Sequence, residues 1–114
     1  MEQTLLPLTE ATFYILLSLS AGRKHGYAIL KDVSALSVAT LELSTSTLYG
    51  AIKRMMRDGL VQRSVERPDP QLHDERRRYY GITDFGRAVA RAEASRIERL
   101  AQLAKSARLL TPAP

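Results

Sequence analysis

The spacing of apolar and polar positions changes several times along the chain, and each change marks an element. Leu8, Phe13, Leu16, Leu17 and Leu19 spread apolar surface around much of a helix, which predicts a first helix buried on more than one side. Thr9 is placed to cap it and Ala21-Gly22 to end it. Tyr27, Leu30 and Val33 then recur at helical spacing, broadened by Ala28, Ile29 and Leu36, so a second helix opens at His25-Gly26-Tyr27. Residues 37–43 are a connector in which the alternation of Thr40-Leu-Glu-Leu43 predicts a very short strand. A third helix runs from Ser44 to Asp58, with Ser44 as cap and Gly59 as terminator. Leu48, Ile52, Met55 and Met56 form its apolar stripe, while Thr45, Tyr49, Lys53 and Arg57 recur every fourth residue on the other side.

The period then shortens. Leu60 to Glu66 reads as a strand, Arg67-Pro-Asp-Pro70 as a turn or loop, and Glu75 to Ile82 as the returning strand of a hairpin. Thr83 caps a last helix, with Asp84 in its first turn, that runs to about Leu109. That helix would be roughly 26 residues and about 39 Å long. Phe85, Val89, Ala92, Ile97, Leu100, Ala104 and Ala107 recur along it mostly at spacings of three and four. A rod of that length overshoots a domain of 114 residues. Its apolar seam needs a cover, and the simplest one is a second copy of itself.

The order helix, helix, helix, hairpin, long helix gives a mainly α (α+β) fold: a winged helix-turn-helix with a long C-terminal dimerisation helix. Residues 1–82 would form the winged-helix DNA-binding domain, 83–110 the dimerisation helix, and 111–114 a disordered tail. A helix that reads a major groove needs an apolar anchor and small polar or cationic groups facing out. The third helix offers Ser44, Thr45, Ser46 and Thr47 at its start, then Tyr49, Lys53, Arg54 and Arg57. Taken alone it is equally an ordinary amphipathic surface helix. The hairpin adds Arg76-Arg77-Arg78, of which Arg76 and Arg78 share a face. Phosphates would neutralise such a run through paired hydrogen bonds, although Asp74 and Glu75 could do so in part. Tyr80 and Ile82 share parity with Arg78 and are expected to turn toward the core.

Charge agrees with this picture. A net charge of +5 draws a protein to polyanions, either nucleic acid or anionic lipid. The chain has no cysteine, which removes disulfides, thiol catalysis and thiolate metal sites and fits a reducing cytoplasm. The longest apolar run, Ala11 to Leu19, falls well short of the ~20 residues of a membrane span. Glu2 and the absence of a basic leader argue against a secretory signal, so a cytoplasmic protein without a membrane partner is expected. His25 is expected to cap or orient the second helix and His73 lies in the wing tip, too dispersed for a metal site. No nucleophile–base pairing is evident, so neither an enzyme nor a cofactor is expected. Gly26 and Gly50 are expected to permit close approach between helices.

Together these segments resemble the PadR family of transcriptional regulators, in its short form with a single C-terminal helix. The residues that carry the resemblance are Leu8-Thr-Glu-Ala-Thr-Phe-Tyr-Ile-Leu16, His25-Gly-Tyr-Ala-Ile29 and Leu43-Ser-Thr-Ser-Thr-Leu-Tyr-Gly-Ala-Ile-Lys-Arg54. They continue with Asp58-Gly-Leu60 and Arg77-Arg-Tyr-Tyr-Gly-Ile-Thr-Asp-Phe-Gly86. The resemblance implies a winged-helix homodimer that represses promoters and reads the major groove of double-stranded DNA with the helix from Ser44. It implies backbone contacts by Tyr49, Lys53 and the wing arginines. It implies that the Tyr79-Tyr80 region closes the wing sheet and that the C-terminal helix clasps the partner. It also implies relief by a small hydrophobic or aromatic effector near the dimer interface. Phe13, Tyr14 and Leu17, with Ile97 and Leu100, are the candidates to border such a cavity, although plain interface packing explains them too. The rival to DNA binding is a winged-helix module that docks another protein.

Overall fold

The computed structural model describes residues 2–64 and 78–111. Each α-helix within them starts from a side chain that accepts a free amide of the first turn, as sequence punctuation predicts. Thr9 accepts from Thr12 for α1 (Glu10–Ser20), His25 Nδ1 from Ala28 for α2 (Gly26–Leu36), Ser44 from Thr47 for α3 (Thr45–Arg57), and Thr83 from Gly86 for α4 (Asp84–Ser106). A short 3-10 turn, Glu2–Leu5, precedes α1.

The last three helices end alike. The N–H two residues past the cap bonds back to the third helical carbonyl from the end: Ala39 to Ser34, Leu60 to Met55, and Leu109 to Ala104. This ending places the residue after the cap in the left-handed region. Gly59 takes it freely at φ 78°, whereas Val38 and Arg108 adopt it at 52° and 62° despite their side chains. The last helix therefore stops at Ser106, short of Leu109, because Arg108 turns the chain without a glycine.

Three short antiparallel strands, β1 (Lys24–His25), β2 (Val61–Ser64) and β3 (Tyr79–Ile82), form a sheet in the order β1-β3-β2. Val61 stands opposite Ile82 and Arg63 opposite Tyr80, while Lys24 stands opposite Tyr80 on the other edge. The hairpin of β2 and β3 is the expected wing, and its tip lies outside the described residues. β1 was not expected. Conversely, Thr40 to Leu43 pairs with no described strand. Its alternation instead turns Leu41 and Leu43 against the core from an extended connector.

The core joins Ile15, Leu16 and Leu19 of α1 to Ile29 and Val33 of α2. Leu48, Ala51, Ile52 and Met55 of α3, Leu60, Val61 and Tyr80 of the hairpin region, and Val89 of α4 complete it. Met56, expected on the buried stripe, is 36% exposed because the stripe runs through Ala51 instead. Thr83 stitches the last junction: its hydroxyl donates to Gly59 O at 2.6 Å and accepts from Gly86 N at 2.8 Å. Gly86 is needed there, since a Cβ would meet Leu60 O at 2.1 Å.

Two carboxylates fasten the helices from within. Asp32 accepts from the buried Ser18 hydroxyl at 2.8 Å and from Lys24 Nζ, tying α2 to α1 and β1. Burial alone would raise its pKa, but the bonds from Lys24 and Ser18 outweigh burial and hold it below the usual carboxylate range. Glu93 of α4 is 1% exposed and accepts from Leu8 N at 2.8 Å and from Arg96 Nε at 2.5 Å. The Arg96 bond, against burial, keeps Glu93 below its ordinary value.

Candidate nucleic-acid interface

α3 has one face buried and one face largely exposed. Leu48, Ala51, Ile52 and Met55 are buried, while Thr45, Ser46, Thr47, Lys53 and Arg54 are exposed. Ser44 is exposed as well, but its oxygen accepts from Thr47 N at 3.1 Å and donates to Thr47 Oγ1 at 2.9 Å. It is thus held as the cap, and the outward hydroxyls of the first turn are those that follow it. Arg57 leans back on Asp58 at 3.3 Å, leaving Lys53 and Arg54 as the forward cations.

Tyr49 stands between α3, α2 and the wing. Its ring lies 6.4 Å from the ring of Tyr80, tilted by 59°. Its hydroxyl lies against Gly26, where a Cβ would come within 2.3 Å. What Gly26 admits is thus the tip of a phenol rather than the backbone of a neighbouring helix. At Gly50 the nearest atom to such a Cβ is Arg54 Nη1 at 3.6 Å, so no close approach exists there. Tyr80 is buried, and burial together with Tyr49 pushes its hydroxyl above the ordinary phenol value, so it stays neutral. Arg63 and Arg78 act electrostatically on Tyr80 in the opposite sense.

Those two guanidiniums share the Tyr80 face of the sheet by strand parity and register. Arg78 is exposed just before β3, while Arg76 and Arg77 lie outside the described residues. Arg63 did not emerge from the sequence, because a lone arginine in a four-residue strand gives no run to notice. Its register opposite Tyr80 could have been deduced only after the hairpin was aligned. On α2, Tyr27 is exposed with Lys31 Nζ 5.1 Å above its ring, and His25 stacks beside it at 6.4 Å.

The residues expected at a partner interface divide along α4. Val89 is fully buried in its own chain and Phe85 packs against the same core, so Val89 has no surface to offer a partner. Ala92 and Ala104 are half-buried, whereas Ile97 and Leu100 are exposed, and so is Leu103 at 56%, which had not been singled out. Of the candidates for a ligand cavity, Phe13 is half-buried, Tyr14 packs against the core and Leu17 is exposed on α1. The cleft of about 570 Å³ beside α4 is lined by Leu6, Ala92, Ser95, Arg96 and Arg99, none of them among those five candidates. Among the described residues no group of three His, Cys, Asp or Glu side chains is placed to hold a metal ion. No helix among them is long and apolar enough to cross a membrane.

The family model described as "Transcriptional regulator PadR-like family" matches residues 15–92. No curated protein sequence matches the chain. Among solved structures, a PadR family transcription regulator from Clostridium difficile R20291 superposes with a TM-score of 0.70 at 21% identity, over 86% of this chain and 97% of that one. A PadR-like regulator from Bacillus cereus gives 0.71 at 18% identity, over 96% and 99%. BpsR of Bordetella bronchiseptica, whose DNA binding is regulated by 6-hydroxynicotinic acid, gives 0.62 at 24% identity, over 89% and 66%. At such identities these structures share the fold with this chain.

Proposed function

We propose, from the premise that the chain belongs to the PadR-like family of DNA-binding transcriptional regulators, that it is a homodimeric repressor of a palindromic operator. The observation that carries this reading is the division of α3. Leu48, Ala51, Ile52 and Met55 are consumed by the core, leaving hydroxyls, the partly seated Tyr49 phenol and cations on the outward row. Each subunit places Thr45, Ser46 and Thr47 toward base edges of a half-site, with Ser44 capping. Tyr49, Lys53 and Arg54 follow along the groove, and Arg76, Arg77 and Arg78 with Arg63 hold the flanking phosphates. The exposed Ile97, Leu100 and Leu103 support pairing through the region 83–110, beyond the winged unit of 1–82. Two-fold pairing then sets the half-sites about one helical turn apart.

Release by a small hydrophobic or aromatic effector completes the proposal, supported by the ligand control of the structural neighbour BpsR. Leu17, Ile97 and Leu100 are the exposed members of the set that would face it, with Phe13 and Tyr14 behind. A regulator of this kind works where the DNA is, in the cytoplasm.

A mobility shift with duplex from the chain's own promoter, at several salt concentrations, tests the reading. Lys53→Glu is expected to weaken binding and flatten its salt dependence, because fewer counterions are then displaced. Normal binding by that variant at every salt concentration would show that Lys53 faces no phosphate.

A further inference from the structure

Gly26 is a glycine without a conformational reason. Gly22 and Gly59 take positive φ, at 149° and 78°, but Gly26 opens α2 with ordinary helical backbone. In a helix a glycine is about 1 kcal/mol worse than alanine. What requires it is Tyr49: a Cβ on Gly26 would lie 2.3 Å from the phenol oxygen, 2.8 Å from Cζ and 3.2 Å from Cε1. A methyl group at Gly26 would therefore push the exposed tip of the Tyr49 phenol out of its seat, while the Tyr80 ring, itself 4% exposed, borders Tyr49 at 6.4 Å. The backbone of the seat is also held, since His25 caps α2 through Ala28 and pairs with Tyr79 of the wing. Yet Tyr49 keeps 36% of its surface in solvent, between α2 and the outward row of α3.

We infer that Gly26 is a positioning residue: its bare Cα seats the Tyr49 phenol so that the hydroxyl is delivered to the DNA backbone. This rests on the DNA contact proposed for α3 and names the part of the fold that aims it. A phenol carries no charge, so its contact differs from that of Lys53 in a measurable way. Losing it lowers affinity by the same factor at every salt concentration, whereas withdrawing a cation changes the slope.

The test is a double-mutant cycle on the full chain, read by mobility shift with duplex from its own promoter at four salt concentrations. Thermal unfolding is recorded for each variant. Gly26→Ala is expected to weaken binding roughly tenfold with an unchanged salt slope. Tyr49→Phe should lose a similar factor, since the same hydroxyl is removed. Gly26→Ala in a Tyr49→Ala background, where no clash remains, should add less than about twofold.

The inference is overturned if G26A costs the same tenfold beside Y49A, if Y49F binds like the wild type, or if G26A flattens the salt slope. The last result would mean that all of α3 had shifted. Should G26A alone fail to fold, Y49F still decides whether the hydroxyl matters. The G26A/Y49A protein, compared with Y49A, then shows whether Gly26 acts through Tyr49. If the wild-type chain binds no duplex even in dilute buffer, the DNA reading itself falls, which differs from binding that is intact but additive.

Discussion

α3 and the distal half of α4 are both amphipathic, and they sit at opposite ends of a scale of completeness. The apolar stripe of α3 is consumed inside the chain: Leu48, Ala51, Ile52 and Met55 are all buried, and its polar side is the side left over. α4 starts in the same way, with Gly86, Val89 and Glu93 buried against the winged unit. Beyond Glu93 the seam continues through Ile97, Leu100 and Leu103, which remain 42%, 45% and 56% exposed among the described residues. A finished amphipathic helix shows its function on its polar face, whereas an unfinished one shows it on its apolar face. The first predicts a polar ligand and the second an apolar partner.

The strongest way to break that contrast is to make the distal seam polar. If the proposed dimer forms through this seam, Leu100→Glu combined with Leu103→Glu should yield a monomer and lower operator affinity by ~100-fold or more, since each subunit then binds alone. The winged unit should stay folded, because neither residue enters its core. Sedimentation and a mobility shift measure the two effects. An unchanged mass would show that the seam pairs with nothing.

On the finished side, the largest expected effect lies at a backbone contact. Gly86→Ala places a Cβ 2.1 Å from the Leu60 carbonyl, where α4 leaves the wing, and should destabilise by about 3 kcal/mol. Gly50→Ala is its control on α3: a Cβ there meets only Arg54 Nη1 at an ordinary contact distance of 3.6 Å, and better helix propensity should stabilise by about 0.5 kcal/mol. Urea unfolding of the two variants should therefore move in opposite directions. Equal shifts would mean that the close approach at Gly86 is not real.

What could be read from the sequence follows the same contrast. Caps and stripes are local, so Thr9, Ser44, Thr83 and Gly59 announce their elements without help. Elements that exist only through distant partners do not. β1 is two residues long and is defined by Tyr79 and Tyr80 more than fifty positions away. Thr40 to Leu43 carries the alternation of a strand but pairs with no strand among the described residues. The outward polar row on α3 was legible because its periodicity stands next to its caps, whereas Arg63 needed the register of the hairpin. Val89 and Leu100 sit on one seam in sequence, and only the packing of α4 shows that the first is spent internally and the second is free.

Glu93 escaped notice for that reason, since a glutamate on a helix reads as solvated until Leu8 and Arg96 are seen to close over it. It marks the boundary between the finished and unfinished halves. Its folded pKa lies below its ordinary value of 4.5, held there first by the Arg96 bond. A carboxyl of that kind contributes stability that is fully present above the unfolded value and is lost as pH falls through the folded one. Asp32, also lowered, adds in the same direction. Glu93→Gln should therefore cost about 1–2 kcal/mol at neutral pH, with the gap to wild type narrowing as the pH is taken below about 4. Denaturant titrations from pH 7 to pH 3 would show the convergence. A gap constant across that range would mean that Glu93 acts by shape and not by charge.

The smallest effect carries the opposite sign and lies within the finished half. α2 and α3 end in the same hydrogen-bonded turn, but α3 supplies Gly59 for the left-handed position and α2 supplies Val38. A β-branched residue pays ~1–2 kcal/mol to hold that conformation. Val38 is 82% exposed, so removing its side chain gives up little packing. Glycine at this position relieves the strain but widens the unfolded ensemble, which takes back roughly 0.5–1 kcal/mol. Val38→Gly is thus expected to stabilise by about 0.5 kcal/mol, and Gly59→Val to destabilise by more than that gain. Paired thermal and urea unfolding decides the matter. A loss of stability in V38G would mean that the Val38 side chain makes contacts worth more than its strain, and that the turn leading into α3 is held by packing as well as by its hydrogen bonds.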